Sequence, residues 1–149
     1  MPITLRPALK SDDAAIKKIV RAANINPMDL NWQRFIVAEE DGQIIGTGQI
    51  KPHNDGSREL ASIAVVPERQ GQEIGSRIIR ALIERETGTL YLMCREKLGT
   101  YYPRFGFYAV ADGQMPPYFR RIARAARIFS KIMGVKLLVM KRDPAEKTA

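Results

Sequence analysis

The sequence predicts a mixed α/β (α+β) fold, and three observations carry that prediction. Short β-branched or aromatic runs recur between turn signals, and amphipathic segments place apolar side chains at helical spacing. The two kinds of segment follow one another without a repeat, a linker or a low-complexity stretch. At 149 residues the chain can bury a sizeable core, so a single domain over 1–149 is expected, with its core at about 3–140.

The elements follow in order. "ITLRPA" alternates as a first strand. Ser11 is positioned to cap a helix whose first turn carries Asp12 and Asp13, where the macrodipole favours anions. Ile16, Ile19, Val20 and Ala23 share one face of that helix. Pro27 interrupts the next stretch, and a short helix is expected around Asp29 to Arg34. "RFIVAEEDGQIIGTGQIKP" is a hairpin signal, with Asp41-Gly42 as its tight turn. After the turn "NDGS", "RELASIAVVP" reads as a strand. A helix from Ile74 to Arg85 follows, with Ile74, Ile78 and Leu82 as its apolar stripe.

"GTLYLMCR" reads as a buried strand, "LGTYYPRFGF" as a short helix ending before Gly106, and "FGFYAV" as another strand. A basic helix at 116–134 starts at Pro116 and Pro117 and stops at Gly134, the residue asymmetry helix ends favour. Phe119, Ile122, Ala126, Phe129 and Met133 trace its apolar face. "VKLLVMKR" is the last strand, and 143–149 a frayed tail.

Composition excludes several chemistries. With His53 and Cys94 as the only residues of their kinds, neither a His/Cys metal cluster nor an internal disulfide can form. His53 lies in the turn-like "KPHNDGS" and reads as a surface histidine; Cys94, in an apolar strand, reads as a buried structural thiol. No apolar run reaches the roughly 18–20 residues of a membrane span, and the amino-terminal residues lack the order of a signal peptide, so a cytoplasmic location is expected. The net charge of +8 is uneven: residues 116–149 hold nine Lys/Arg against Asp143 and Glu146.

One stretch, "VVPERQGQEIGSRII", carries a resemblance. Gln70-Gly71-Gln72-Glu73-Ile74-Gly75, followed by Ser76, opens a helix after a strand and a proline. Tyr101-Tyr102-Pro103-Arg104-Phe105-Gly106-Phe107 supplies a second motif near the end of the fold. Both motifs, at this separation and in this element order, resemble the GCN5-related N-acetyltransferases, which move an acetyl group from acetyl-CoA to an amine. The resemblance implies a mostly antiparallel central sheet flanked by helices; where the family usually joins its last two strands by a short hairpin, this sequence inserts the basic helix. Glu73 stands where the family has its first motif glycine, and Arg95 and Leu98 replace an Asn-x-x-Ala pattern.

The resemblance also implies site roles. The diphosphate of acetyl-CoA would rest on backbone amides from Gly71 to Ser76 at a helix mouth, where unpaired N–H groups and the macrodipole favour anions. Gln70 opens that loop, and Val65 and Val66 would meet the pantetheine arm through their backbone. Tyr102 would protonate the leaving thiolate; Tyr101 is packing. Glu59, eleven residues before Gln70, would take the amine proton, the alternative being an exposed strand carboxylate. Direct transfer in a ternary complex is expected, with no metal.

The expected partners are acetyl-CoA and an amine acceptor of unassigned identity, with an acidic or protein acceptor and a homodimer left open. The arginine face of the basic helix suits an acidic partner or, less well, nucleic acid backbone. A membrane-surface role is disfavoured, because the Ala-rich apolar face is expected to be needed for packing. Two alternatives stand beside the enzyme: a coenzyme A-binding domain with little or no catalysis, and a module for acidic partners or nucleic acid.

Overall fold

A computed structural model describes residues 2–145, so part of the expected tail, 146–149, lies outside the described residues. Seven strands form one mostly antiparallel sheet: β1 Thr4–Pro7, β2 Phe35–Glu40, β3 Gln43–Pro52, β4 Arg58–Val65, β5 Leu90–Arg95, β6 Phe107–Ala109 and β7 Leu137–Arg142. Their order is β1-β2-β3-β4-β5-β7-β6. Three helices accompany them: α1 Asp13–Ala22, α2 Ile74–Glu84 and α3 Pro117–Met133. α3 does lie between the last two strands. Packing divides the chain into two compact units, residues up to Lys51 with Leu60–Arg85, and Pro52–Glu59 with residues from Glu86 onward.

In the first unit, β2 and β3 are joined through Asp41 and Gly42, whose φ values of 51° and 78° are those of the tight hairpin turn the dipeptide announces. β2 is buried on both faces because successive side chains point oppositely. Phe35 and Val37 join Ile16 and Val20 of α1 in one cluster. The other face receives α2, and β3 makes room with two glycines. A Cβ at Gly48 would sit 2.6 Å from Ile78 and 2.7 Å from Ile63; at Gly46 it would sit 2.9 Å from Ile78. The α2 stripe of Ile74, Ile78 and Leu82 is buried as its spacing requires.

The remaining face of β3 is polar yet buried. Thr47 donates to the Ser62 carbonyl, and Gln49 Nε2 donates to Ser62 Oγ at 2.9 Å and the Asp29 carbonyl at 3.2 Å. Lys51 Nζ donates to the Met28 carbonyl at 3.0 Å. These bonds tie the irregular segment before β2 onto the sheet and satisfy polar groups that burial would otherwise penalise.

Two local expectations at α1 are corrected. Ser11 caps nothing; it lies exposed inside a 3-10 turn, Lys10–Asp12. Asp12 is the organising residue, accepting the Leu9 N–H at 2.7 Å and pairing with Arg6 at 2.7 Å. The side-chain hydrogen bond from Arg6 holds its carboxyl below the usual value. Ala23 ends the helix and is exposed rather than part of its packed face.

In the second unit, β7 pairs antiparallel with β5 on one side and β6 on the other. α3 buries Phe119 with Tyr91, Met115 and Val139. Its first turn has no cap of its own; Asp55, in the turn before β4, accepts the Tyr118 N–H at 3.0 Å and so supplies one from a distance. The expectation that the apolar stripe of α3 packs along its length is overturned. Only Phe119 is buried, while Phe129 and Met133 are 65% and 71% exposed.

Candidate active site

The loop from Gln70 to Ser76 is shaped by backbone conformation more than by side chains. Gly71 has φ +83°, and Glu73, at the N-cap of α2, is left-handed at φ +64°, ψ 16°. A glycine suits that second position because the conformation costs a residue with a Cβ about 1–2 kcal/mol. The unusual Glu73 therefore strains the backbone without blocking it. Its side chain is exposed and makes no capping hydrogen bond.

The other loop residues fall as follows. Gln72 is exposed and accepts from Arg69, which pairs with Glu40 and pins the loop base to β2. Ile74 and Ser76 are buried, fixing the helix mouth to the core. A Cβ on Gly75 would meet only Val65 and Ile63, at 3.8 and 3.9 Å, and one on Gly71 nothing within 4 Å. Val65 and Val66 are half-buried at the end of β4. Their backbone is already engaged: the Val65 carbonyl accepts from Gln70 Nε2 at 3.1 Å, and the Val66 N–H donates to Ile45 at 2.9 Å. An arm docking along Val65 would first displace the exposed Gln70 side chain.

Tyr102 opens a 3-10 turn, Tyr102–Phe105, that ends in the left-handed Gly106. Arg142 Nε clamps this turn from β7 by donating to the Phe105 carbonyl at 2.9 Å. The ring meets the rings of Tyr101 and Phe107 edge-on, at 5.2 and 6.2 Å between centroids. Burial, reinforced by Cys94 and Tyr101, pushes the phenol pKa up to about 12. Tyr102 therefore holds its proton throughout the neutral range, as a proton donor must. Cys94 is buried as expected, and burial raises its thiol pKa, which makes it a poor nucleophile.

Glu59 is not an exposed carboxylate. It is 5% exposed on β4, opposite Tyr91 of β5, and its Oε1 lies 2.8 Å from His53 Nε2. His53, expected at the surface, is corrected by the same contact. Its side chain is only 10% exposed, stacked on Tyr118 at 3.6 Å with Phe119 edge-on at 5.6 Å. The signal was present: the turn at "NDG", closed by the Gly56 N–H on the His53 carbonyl, brings residues on its two sides together. What sequence could not supply was the aromatic lid from α3. Asp55, in the same turn, is lowered to about 2 by hydrogen bonds from Ser57 and the Tyr118 N–H.

A family model described as the acetyltransferase (GNAT) domain matches residues 31–109, more than half of the chain. The chain belongs to the GNAT acetyltransferase family. No curated protein sequence matches it. Among solved structures, N-acetylglutamate synthase from Neisseria gonorrhoeae, complexed with coenzyme A and N-acetyl-glutamate, superposes at TM-score 0.76 with 19% identity. That match covers 98% of this chain but 36% of the Neisseria chain, so the likeness spans about a third of the larger protein. Rv2747 from Mycobacterium tuberculosis, in complex with CoA and NLQ, gives 0.72 at 21% identity, covering 95% of this chain and 99% of that one. The ribosomal-protein-S18-alanine N-acetyltransferase from Escherichia coli gives 0.69 at 17%, with 99% and 97% covered. Among the described residues no group of three or more His, Cys, Asp or Glu side chains could hold a metal ion, and no helix is long and apolar enough to cross a membrane.

Proposed function

We propose that this chain acts as a single N-acetyltransferase-like domain in the cytoplasm, acetylating a primary amine by direct attack within a ternary complex. The observation that carries the reading is the mouth of α2, which receives no capping hydrogen bond from its N-cap side chain and is reached through left-handed backbone at Gly71 and Glu73. Amides from Gly71 to Ser76 would hold a diphosphate there, and Gly71 leaves the approach open. Bound acetyl-CoA supplies the activated thioester.

Glu59 takes the proton from the attacking amine, directly or through water, with His53 fixing the carboxylate. Tyr102, protonated at neutral pH, gives its proton to the departing sulfur. No covalent enzyme intermediate is invoked, in keeping with the buried, weakly acidic Cys94.

Calorimetry with acetyl-CoA and thiol release with a panel of primary amines test the two halves separately. Saturable acetyl-CoA binding with amine-dependent release is expected. Binding without release for any amine leaves a coenzyme A-binding domain; absence of binding removes the cradle.

A further inference from the structure

The carboxy-terminal half of α3 is not used by the site or by the core. Ile128 and Ile132 are 67% and 77% exposed, Phe129 and Met133 nearly as much, and Val135 and Leu137 continue the apolar surface at 44% each. For Ile128 and Ile132 helix geometry requires this. Ile128 lies nine residues beyond the buried Phe119, which at 3.6 residues per turn is half a turn round, on the opposite side of the helix. No single packing surface can bury both. The exposed cations Arg121 and Arg124 precede Ile128 on the same side of the helix, two turns and one turn earlier, and the exposed Lys131 stands beside it. From Pro117 to Arg142 the chain carries eight Lys/Arg and no carboxylate.

We propose that this half of α3 is a docking ridge for an anionic lipid surface, with Ile128, Phe129 and Ile132 reaching the acyl boundary at the carboxy-terminal end of the helix and Arg121 and Arg124, earlier on the same side, meeting the headgroups. Side chains exposed by about two thirds or more project from the helix, which a fluid bilayer accommodates without a matching groove. The collar is of one sign, which an anionic leaflet attracts. A second copy fits less well. Symmetric pairing of two ridges would bring Arg121, Arg124 and Lys131 of both copies together with no acid on the helix to offset them. Nucleic acid would satisfy the cations but set Ile128, Phe129 and Ile132 against phosphate and sugar. The proposal concerns association with a surface and does not depend on the acetyl-transfer reading.

The test is co-sedimentation of the full chain with vesicles of phosphatidylcholine alone and with about 30% phosphatidylglycerol. Pelleting is expected only with the anionic vesicles and is expected to weaken in 0.5 M salt. Phe129→Glu with Ile132→Glu is expected to lower the partition coefficient by about tenfold or more while leaving the melting temperature unchanged. Should that double variant fail to fold, Phe129→Trp gives a second readout: its emission is expected to shift to the blue on adding anionic vesicles, beyond any change from Trp32 in the parent chain. Absence of pelleting, pelleting insensitive to the double substitution, or an unshifted emission overturns the proposal. So does a concentration-dependent dimer, or binding to polyglutamate, that the double substitution abolishes in a chain showing no vesicle binding.

Discussion

Glu73→Gly separates two effects that a single activity assay would merge. Glu73 sits at φ +64° with no hydrogen bond from its side chain at the helix cap, so removing the side chain loses no capping contact. Relief of left-handed strain is worth about 1–2 kcal/mol. Glycine gives back about 0.4–1 kcal/mol through the entropy of the unfolded chain. The net gain is about 0.5–1 kcal/mol, which for a chain of this size raises the melting temperature by about 1–4 °C.

The second effect is on ligand. A carboxylate about 8 Å from a diphosphate in water costs about 0.5–1 kcal/mol per charge pair, so acetyl-CoA should bind several-fold more tightly to the variant. Differential scanning fluorimetry without ligand reads the first effect, and isothermal titration calorimetry the second. A lower melting temperature would show that the Glu73 side chain stabilises the loop. A higher melting temperature with unchanged or weaker acetyl-CoA binding would refute the cradle at the α2 mouth while sparing the backbone argument.

Three further outcomes are expected. Gly48→Ala should lose about 1–3 kcal/mol in denaturant titration, because its Cβ would press to 2.6–2.9 Å on Ile78, Ile63 and Leu82. Tyr102→Phe should lower thiol release by about 100-fold or more. It should also change alkaline stability: a phenol raised from 10.0 to about 12 keeps its contribution below pH 10 and loses it as pH climbs through 12, so the parent chain should weaken more than the variant over that window. His53→Ala should cost about 1–3 kcal/mol in stability by removing the 2.8 Å contact to the buried Glu59 carboxylate, whereas Glu59→Gln should fold but fall by about 100-fold or more in kcat; full activity of the glutamine variant at every pH would remove Glu59 from the mechanism.

Which features were legible in the sequence follows from how local their causes are. Asp41-Gly42, Gly106 and Gly134 each mark a chain reversal or helix end through their own backbone preferences, and each sits where those preferences place it. The α2 stripe was readable because one helix face meets one sheet face. Pairs made across space were not readable. Thr47, Gln49 and Lys51 look like the solvent side of a strand until the segment carrying Met28 and Asp29 is folded over them. The missing glycine at Glu73 was visible as a letter; its meaning depended on a φ angle. In α3 the periodicity identified a stripe correctly but carried no information on how far the sheet extends beneath it.

That last point explains why the two halves of α3 differ. Every residue of "PYFRR" up to Arg120 is committed: Pro117 begins the helix, Tyr118 stacks on His53 and gives its N–H to Asp55, Phe119 fills the core, and Arg120 donates to the Asp112 and Met115 carbonyls. Arg127 reaches back to Asp112, and beyond it the helix has its own hydrogen bonds, the local Ser130 contact and the Gly134 stop. The opening turns are thus bound to the hairpin that holds Glu59, and replacing Tyr118 would disturb the contact between His53 and Glu59. Replacing Ile128 or Ile132 would remove no core contact. A helix built only to cover the sheet could have ended near Arg127. Extending it to Met133 with Ile, Phe and Met at exposed positions lowers solubility unless something covers them, the role proposed above for an anionic surface.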